Sequence, residues 1–197
     1  MNYLAHIYLS GENIDQQIGN FIGDAVKGSQ YINYPEDIKT GILLHRTIDS
    51  FTDTHEIPRI SRNRLNNVYS HYKGVLVDIY YDHFLAKNWS DYSDIDYKSY
   101  VSTFYQNLQN NLPDLPDRIQ FMAPLLIKYD WFEKYQSLEG IERVLQGMEK
   151  RINQVVPLSL GIRDLEMHYN DIEQDFNDFF PLLMECVEVR EIELIQT

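Results

Sequence analysis

The chain has 197 residues, with 17 Lys and Arg against 30 Asp and Glu, and a formal net charge of −13. This length allows one domain with a sizeable core, and the charge argues against a general nucleic-acid-binding protein. No apolar run approaches the roughly 20 residues of a membrane helix, no basic signal-peptide segment opens the chain, and the single Cys186 fits a reducing, cytoplasmic compartment.

Apolar residues recur mostly at helical spacing. In the first half we predict helices over residues 2–9, 13–28, 34–52 and 58–74, and one that contains Asp78 and ends near Trp89. In the second half we predict helices over residues 97–109, 117–135 with a break at Pro124, 138–151, and 162–186 with a kink or split at Pro181. No convincing alternating strand pattern is present, so we expect an all-α, single-domain helical bundle over residues 1–197.

Charge is distributed unevenly along the chain. Residues 1–88 contain 8 Lys and Arg against 10 acids, whereas residues 89–197 contain 9 against 20. The first half, about 1–89, holds most candidate site residues, and the second, about 90–197, is acidic. Between Ile57 and Val77 there are four basic residues and no acid: Arg59, Arg62, Arg64 and Lys73. This segment is either a solvated helix face or a dock for an anionic partner.

The segment from Asp78 to His83 combines two carboxylates and an imidazole with apolar neighbours. On a helix, Asp78 and Asp82 share a face and His83 lies beside Asp82. Burying carboxylates among apolar side chains is costly unless they are paired or bind a metal. The pattern therefore favours a polar site on this helix.

Further ligand-type residues lie earlier in the chain: His6, Asp24, His45 and Asp49. Mixed His and Asp sets suit Mn²⁺, Fe²⁺, Zn²⁺ or Mg²⁺, and the lack of cysteine among them argues against a structural zinc site. A divalent ion neutralises phosphate oxygens and lowers the pKa of bound water, while Arg46 could bind a phosphate oxygen. Spacing alone thus indicates a metal hydrolase, although each histidine could also be a hydrogen-bonded core residue.

Four ordered motifs and a late His168-Tyr169 pair resemble the acyl carrier protein phosphodiesterase family. The motifs are Asn2-Tyr-Leu-Ala-His6, Gly19-Asn20-Phe-Ile-Gly23-Asp24-Ala-Val-Lys27-Gly28, Gly41-Ile-Leu-Leu-His45-Arg46-Thr-Ile-Asp49-Ser-Phe-Thr52-Asp53, and Asp78-Ile-Tyr-Tyr-Asp82-His83-Phe-Leu-x-x-x-Trp89. The resemblance covers nearly the whole chain and implies an all-helical fold related to the HD-domain metal-dependent phosphohydrolases.

The resemblance also implies a reaction. Its substrate would be holo-acyl carrier protein, a very acidic partner, and its products apo-carrier protein and 4′-phosphopantetheine, within fatty acid biosynthesis and lipid metabolism. Mn²⁺ is the implied metal, with Fe²⁺ or Mg²⁺ as alternatives. We expect the metal ligands to be His6, Asp24, His45, Asp78, Asp82 and His83. Asp49 would be a ligand or orient one, Arg46 would stabilise phosphoryl charge, and a histidine off the metal would protonate the leaving serine.

Two alternatives remain open at this stage. A related metal phosphohydrolase acting on a nucleotide or another small phosphodiester would share the fold and site, and the basic segment would then be incidental. A non-catalytic helical binding protein would use the His and Asp residues as buried structural groups or as a structural metal site.

Overall fold

The computed structural model describes residues 1–196, and the all-α prediction is confirmed: 81% of the chain is helical when its 11 α-helices and its short 3₁₀ helices are counted together, and the described residues contain no strand. The helices are α1 (Tyr3–Tyr8), α2 (Ile14–Ile22), α3 (Glu36–Thr54), α4 (Glu56–Arg64), α5 (Lys73–Lys87), α6 (Tyr97–Asn111), α7 (Asp117–Lys128), α8 (Trp131–Lys134), α9 (Leu138–Arg151), α10 (Gly161–Met167) and α11 (Tyr169–Ile195). Short 3₁₀ turns join several of them, including Gly23–Ala25 directly after α2.

Two glycines let α2 and α3 cross with their backbones in contact. A Cβ at Gly19 would collide with the carbonyl oxygen of Ile38, and a Cβ at Gly41 would collide with that of Gln16. Only glycine permits so close an approach. The contact fixes the end of α2 and the Gly23–Ala25 turn beside the middle of α3.

Helix α5 lies at the centre of the bundle. It is buried almost all round, from Leu76 to Ala86, as expected for a helix without a polar face. It also provides the missing N-cap of α1, whose own Asn2 side chain makes no capping bond. The backbone N–H groups of Leu4 and Ala5 donate to the carboxylate of Asp82, at 2.8 and 3.2 Å. A long-range cap thus positions the helix that carries His6.

Several predicted helices end early or are divided. The predicted 58–74 helix ends at Arg64 and continues as the 3₁₀ turn Asn67–Tyr72. The predicted 117–135 helix divides at Asp130, which has a left-handed φ of 43° and caps α8. The predicted 162–186 helix divides at His168, between α10 and α11, and α11 continues past the predicted end to Ile195.

The helix does not break at Pro124 or split at Pro181, since α7 and α11 run through both prolines. Each proline is on an exposed helix face. The carbonyl four residues earlier, which loses its N–H partner, lies on the same face and can bond water instead.

One continuous apolar core extends from Met1 to Val187, so both halves of the chain share it. Within the described residues, no helix is long and apolar enough to cross a membrane.

Candidate metal centre

Two stacked histidines form the floor of the site. The rings of His6 on α1 and His45 on α3 lie 4.2 Å apart between centroids and 23° from parallel. Their side chains are only 3% and 7% exposed. Gly23 lies directly against this pair, because a Cβ there would collide with the imidazole of His45. The glycine at the end of α2 therefore leaves room for the ring.

Two carboxylates cover the stacked rings. Asp49, one turn after His45, places Oδ1 3.2 Å from His6 Nε2 and Oδ2 3.1 Å from His45 Nε2. Asp24, in the turn after α2, places Oδ1 3.5 Å from His45 Nε2. Both carboxylates are partly exposed, at 42% and 58%. The site thus has a buried imidazole floor and an acidic rim open to solvent.

The hydrogen-bond network fixes the orientation of His6. Asn20 donates its amide to Ser10 Oγ, so its Oδ1 is the atom that faces His6 Nδ1, at 2.7 Å. Nδ1 must then carry the ring proton. Nε2, the other nitrogen, faces two oxygens, Met1 O and Asp49 Oδ1, each at 3.2 Å.

The contact between His6 Nε2 and these two oxygens has no positive charge of its own. Burial and the neighbouring His45 lower the pKa of His6, so near neutral pH its Nε2 presents a lone pair to two electron-rich oxygens. A cation between these atoms would turn the repulsion into coordination.

The ring nitrogens of His45 lack regular hydrogen bonds. Both of its ring nitrogens are buried and lack a hydrogen-bond partner of good geometry, although Nε2 is in charge contact with the two carboxylates. Burial opposes its protonation, but Asp24 and Asp49 together raise the pKa of His45 to about 9. In the metal-free protein the imidazolium therefore provides the positive charge that the acids need.

The donor set fits a divalent ion. One ligand atom from each of His6, His45 and Asp49 can be chosen so that all lie within 4.8 Å of one another, a group able to hold a metal. Two imidazoles with one carboxylate, and a second carboxylate at the rim, match the mixed N and O donors of Mn²⁺, Fe²⁺ or Zn²⁺. This group is the one cluster of its kind among the described residues.

Three predicted ligands lie outside that cluster. Asp82 caps α1, and burial raises its pKa to about 7 although the Leu4 and Ala5 amides oppose the rise. Asp78 Oδ1 accepts from the Met1 ammonium at 3.1 Å. His83 has both ring nitrogens engaged, Nδ1 by the carbonyl of Tyr135 at 2.7 Å and Nε2 by the hydroxyl of Tyr169 at 2.8 Å.

Arg46 contacts the segment that follows Asp24. Its Nη2 donates to the carbonyls of Val26 and Gly28, at 3.2 and 2.7 Å, and its guanidinium lies 5.0 Å from the centre of the Tyr31 ring. The segment that carries Asp24 is thereby tied to α3.

The predicted docking residues are bonded within the chain. Arg64 forms a bidentate pair with Asp175, at 3.2 and 3.1 Å, and Arg62 pairs with Asp53 at 3.4 Å. The other two contacts are Arg59 with Glu56 at 3.4 Å and Lys73 with Asn67 at 2.7 Å. The three carboxylates offset the positive charge of Arg59, Arg62 and Arg64.

Two residues that sequence reasoning did not single out shape the site: Asn20, which orients His6, and Gly23, which makes room for His45. Both belong to the quoted Gly19–Asp24 motif. The available signal was an asparagine set among Ile18, Phe21 and Ile22 in α2, because a polar side chain among apolar ones needs a specific partner.

A histidine–carboxylate centre able to bind a metal is suited to hydrolysis, because a bound divalent ion activates water. The family model described as acyl carrier protein phosphodiesterase matches residues 1–183. The chain belongs to this family.

Individual relatives agree with that assignment. Proteins named acyl carrier protein phosphodiesterase from Photorhabdus laumondii and Yersinia enterocolitica are each 31% identical to the chain. The alignments cover 95% and 98% of this chain and 96% and 100% of the relatives. A protein of the same name from Salmonella paratyphi A is 31% identical over 93% of this chain and 96% of its own length. No solved structure matches the chain.

Proposed function

We propose that the protein hydrolyses the phosphodiester that joins 4′-phosphopantetheine to a serine of holo-acyl carrier protein, releasing apo-carrier protein. Family membership supports the substrate. The observation that carries the chemistry is the pair of buried imidazoles whose Nε2 atoms converge on Asp49, at 3.2 and 3.1 Å from its two carboxylate oxygens.

His6, His45 and Asp49 would hold a divalent ion, most consistent with Mn²⁺, and Asp24 would complete the set from the rim. When bound, the ion would neutralise phosphodiester oxygens and lower the pKa of a water molecule. Asn20 keeps His6 Nδ1 protonated, which leaves Nε2 as the donor atom.

The partly exposed carboxylates define the side from which substrate enters. Asp24 and Asp49 carry negative charge at the rim of the site, and in the metal-free state they would repel a phosphodiester. The same acids therefore make substrate binding depend on a bound cation.

We assign Arg46 a positioning role. Its bonds to Val26 and Gly28 hold the backbone just beyond Asp24 and set where that carboxylate lies. This differs from the direct phosphate contact expected from the sequence, because Nη2 already donates to two carbonyl oxygens.

The decisive experiment is mass spectrometry of holo-acyl carrier protein incubated with the purified protein, with Mn²⁺ or with a chelator. We expect loss of the phosphopantetheine mass with Mn²⁺ only, and none with His45→Gln. The matched control is His71→Gln, which alters an exposed histidine outside the cluster. An unchanged carrier mass with Mn²⁺, Fe²⁺ and Mg²⁺ would overturn the proposal, and cleavage of nucleotide or artificial diesters alone would establish the small-phosphodiester alternative.

A further inference from the structure

Helices α7, α8 and α9 carry cations without acidic partners. Six of the nine Lys and Arg residues of the acidic half fall between residues 117 and 151: Arg118, Lys128, Lys134, Arg143, Lys150 and Arg151. None of them forms an ion pair with any residue that the structure describes. The same stretch holds six acids and is therefore neutral overall, whereas the rest of residues 89–197 has 14 acids and 3 bases and would repel an anion.

Tyr3 connects this region to the metal centre. It lies on α1, three residues before His6, and its hydroxyl contacts Met122 Sδ on α7 at 3.5 Å. Its ring packs 5.1 Å from Phe21 of α2, just before the turn that holds Asp24. Burial raises the pKa of Tyr3, Asp24 raises it further, and Arg118 and Arg151 lower it. Both guanidinium groups thus lie close enough to act on the same phenol as the site's rim carboxylate.

An apolar stripe accompanies these cations. Phe121, Leu125 and Tyr129 recur at helical spacing along α7, and Phe121 is 78% exposed. Arg118 is on the same face, three residues before Phe121. Arg151 is also exposed and lies over the ring of Trp131, 4.8 Å from its centre. Exposed aromatic residues flanked by arginines are typical of a protein-binding surface.

We propose that the surface formed by Arg118, Phe121, Leu125 and Arg151, here called the α7–α9 surface, docks the acidic carrier protein. The inference rests on the proposed function and names where that substrate binds. The unpaired cations meet carboxylates of the partner, and Phe121 is the apolar anchor. The position beside Tyr3 and Asp24 brings a docked carrier near the metal centre.

Charge complementarity favours this surface over the Arg59–Lys73 segment. There, three arginines pair with Glu56, Asp53 and Asp175, and a partner would have to compete with bonds that already exist. The cations of the α7–α9 surface have no such bonds to break.

Binding of apo-acyl carrier protein measures docking without hydrolysis, because apo-acyl carrier protein lacks the phosphodiester that the enzyme would cleave. Isothermal titration at low salt should show at least a tenfold weaker Kd for Arg118→Glu/Arg151→Glu. Arg59→Glu/Lys73→Glu makes the same charge change on the alternative segment and should alter Kd less than twofold. Phe121→Ser, at a mostly exposed position that the fold does not need, should also weaken binding.

Kinetics separate the two proposals. With holo-carrier the double variant should raise KM at least tenfold, while hydrolysis of bis(p-nitrophenyl) phosphate stays at the wild-type rate. Unchanged Kd and KM in an active enzyme would refute the docking surface and leave the proposed function intact. Loss of the small-diester reaction would also refute it, since the two arginines would then serve the reaction site. A wild-type protein that cleaves no carrier would instead refute the proposed function.

Discussion

Nε2 of His6 lies 3.2 Å from Oδ1 of Asp49, although the other nitrogen of that ring already carries its proton toward Asn20. Two hydrogen-bond acceptors thus face each other, one on the buried His6 ring and one on the partly exposed Asp49. Such a contact costs free energy unless a cation or a proton is shared between them. Asp49 makes the same approach to His45 through its other oxygen, so it is the residue that joins both imidazoles.

Asp49→Asn is therefore expected to weaken Mn²⁺ binding by at least about 100-fold, because it removes an anionic ligand and the charge that attracts the ion. Titration of the chelator-treated protein with Mn²⁺ measures the effect. Asp53→Asn, one turn later on α3 and mostly exposed, is the control and should leave affinity within about twofold. Equal affinities for both variants would place the metal elsewhere.

Gly23→Ala should impair the site through packing. The added methyl group collides with the His45 ring, and such overpacking costs about 1–3 kcal/mol of folding stability. We expect a lower melting temperature together with weaker Mn²⁺ binding.

Gly147→Ala is the matched control for that substitution. Gly147 lies in α9 with open space around it, and alanine there should stabilise the protein by about 0.5–1 kcal/mol because it favours helix. If Gly23→Ala bound metal as tightly as wild type, the close contact with His45 would have no functional role.

The stability of the metal-free protein should depend on pH through His45. Asp24 and Asp49 raise its folded-state pKa to about 9, against an ordinary histidine pKa of 6.5. The folded state then binds more protons between these values, so the stabilisation is complete below about pH 6.5 and is lost as pH rises through about 9. Its size is at most about 3 kcal/mol.

Chemical denaturation of wild type and His45→Gln, with chelator and from pH 6 to 9.5, measures this contribution. We expect the difference in unfolding free energy to shrink as pH rises. A difference that stays constant across this range would show that His45 is not protonated in the metal-free protein.

Arg64→Ala should destabilise the fold without altering metal binding. The variant leaves Asp175, which is largely buried and also accepts from Ser61 at 2.7 Å, without its bidentate partner. Loss of one member of a buried pair costs about 3 kcal/mol. Arg59→Ala removes an exposed pair with Glu56 and should cost less than about 0.5 kcal/mol. Similar unfolding midpoints for the two variants would contradict a structural role for Arg64.

The sequence by itself determined the helical fold, and it brought His6, Asp24, His45 and Asp49 into consideration. These outcomes follow from local information. Helical periodicity is visible along the chain, the His45–Asp49 pair shares a face by its spacing of four residues, and α9 has the predicted bounds, residues 138–151.

Only the tertiary structure decided which polar residues share a site. Asp82 looked like a ligand because a buried carboxylate needs a partner, and the partner proved to be the N-terminus of α1, far away in sequence. Arg64 likewise has a partner that is far away in sequence, Asp175. A sequence shows that a buried charge must be compensated, but the compensating group is chosen by how the helices pack, and here the close crossing of α2 and α3 placed Asp24 and His45 together.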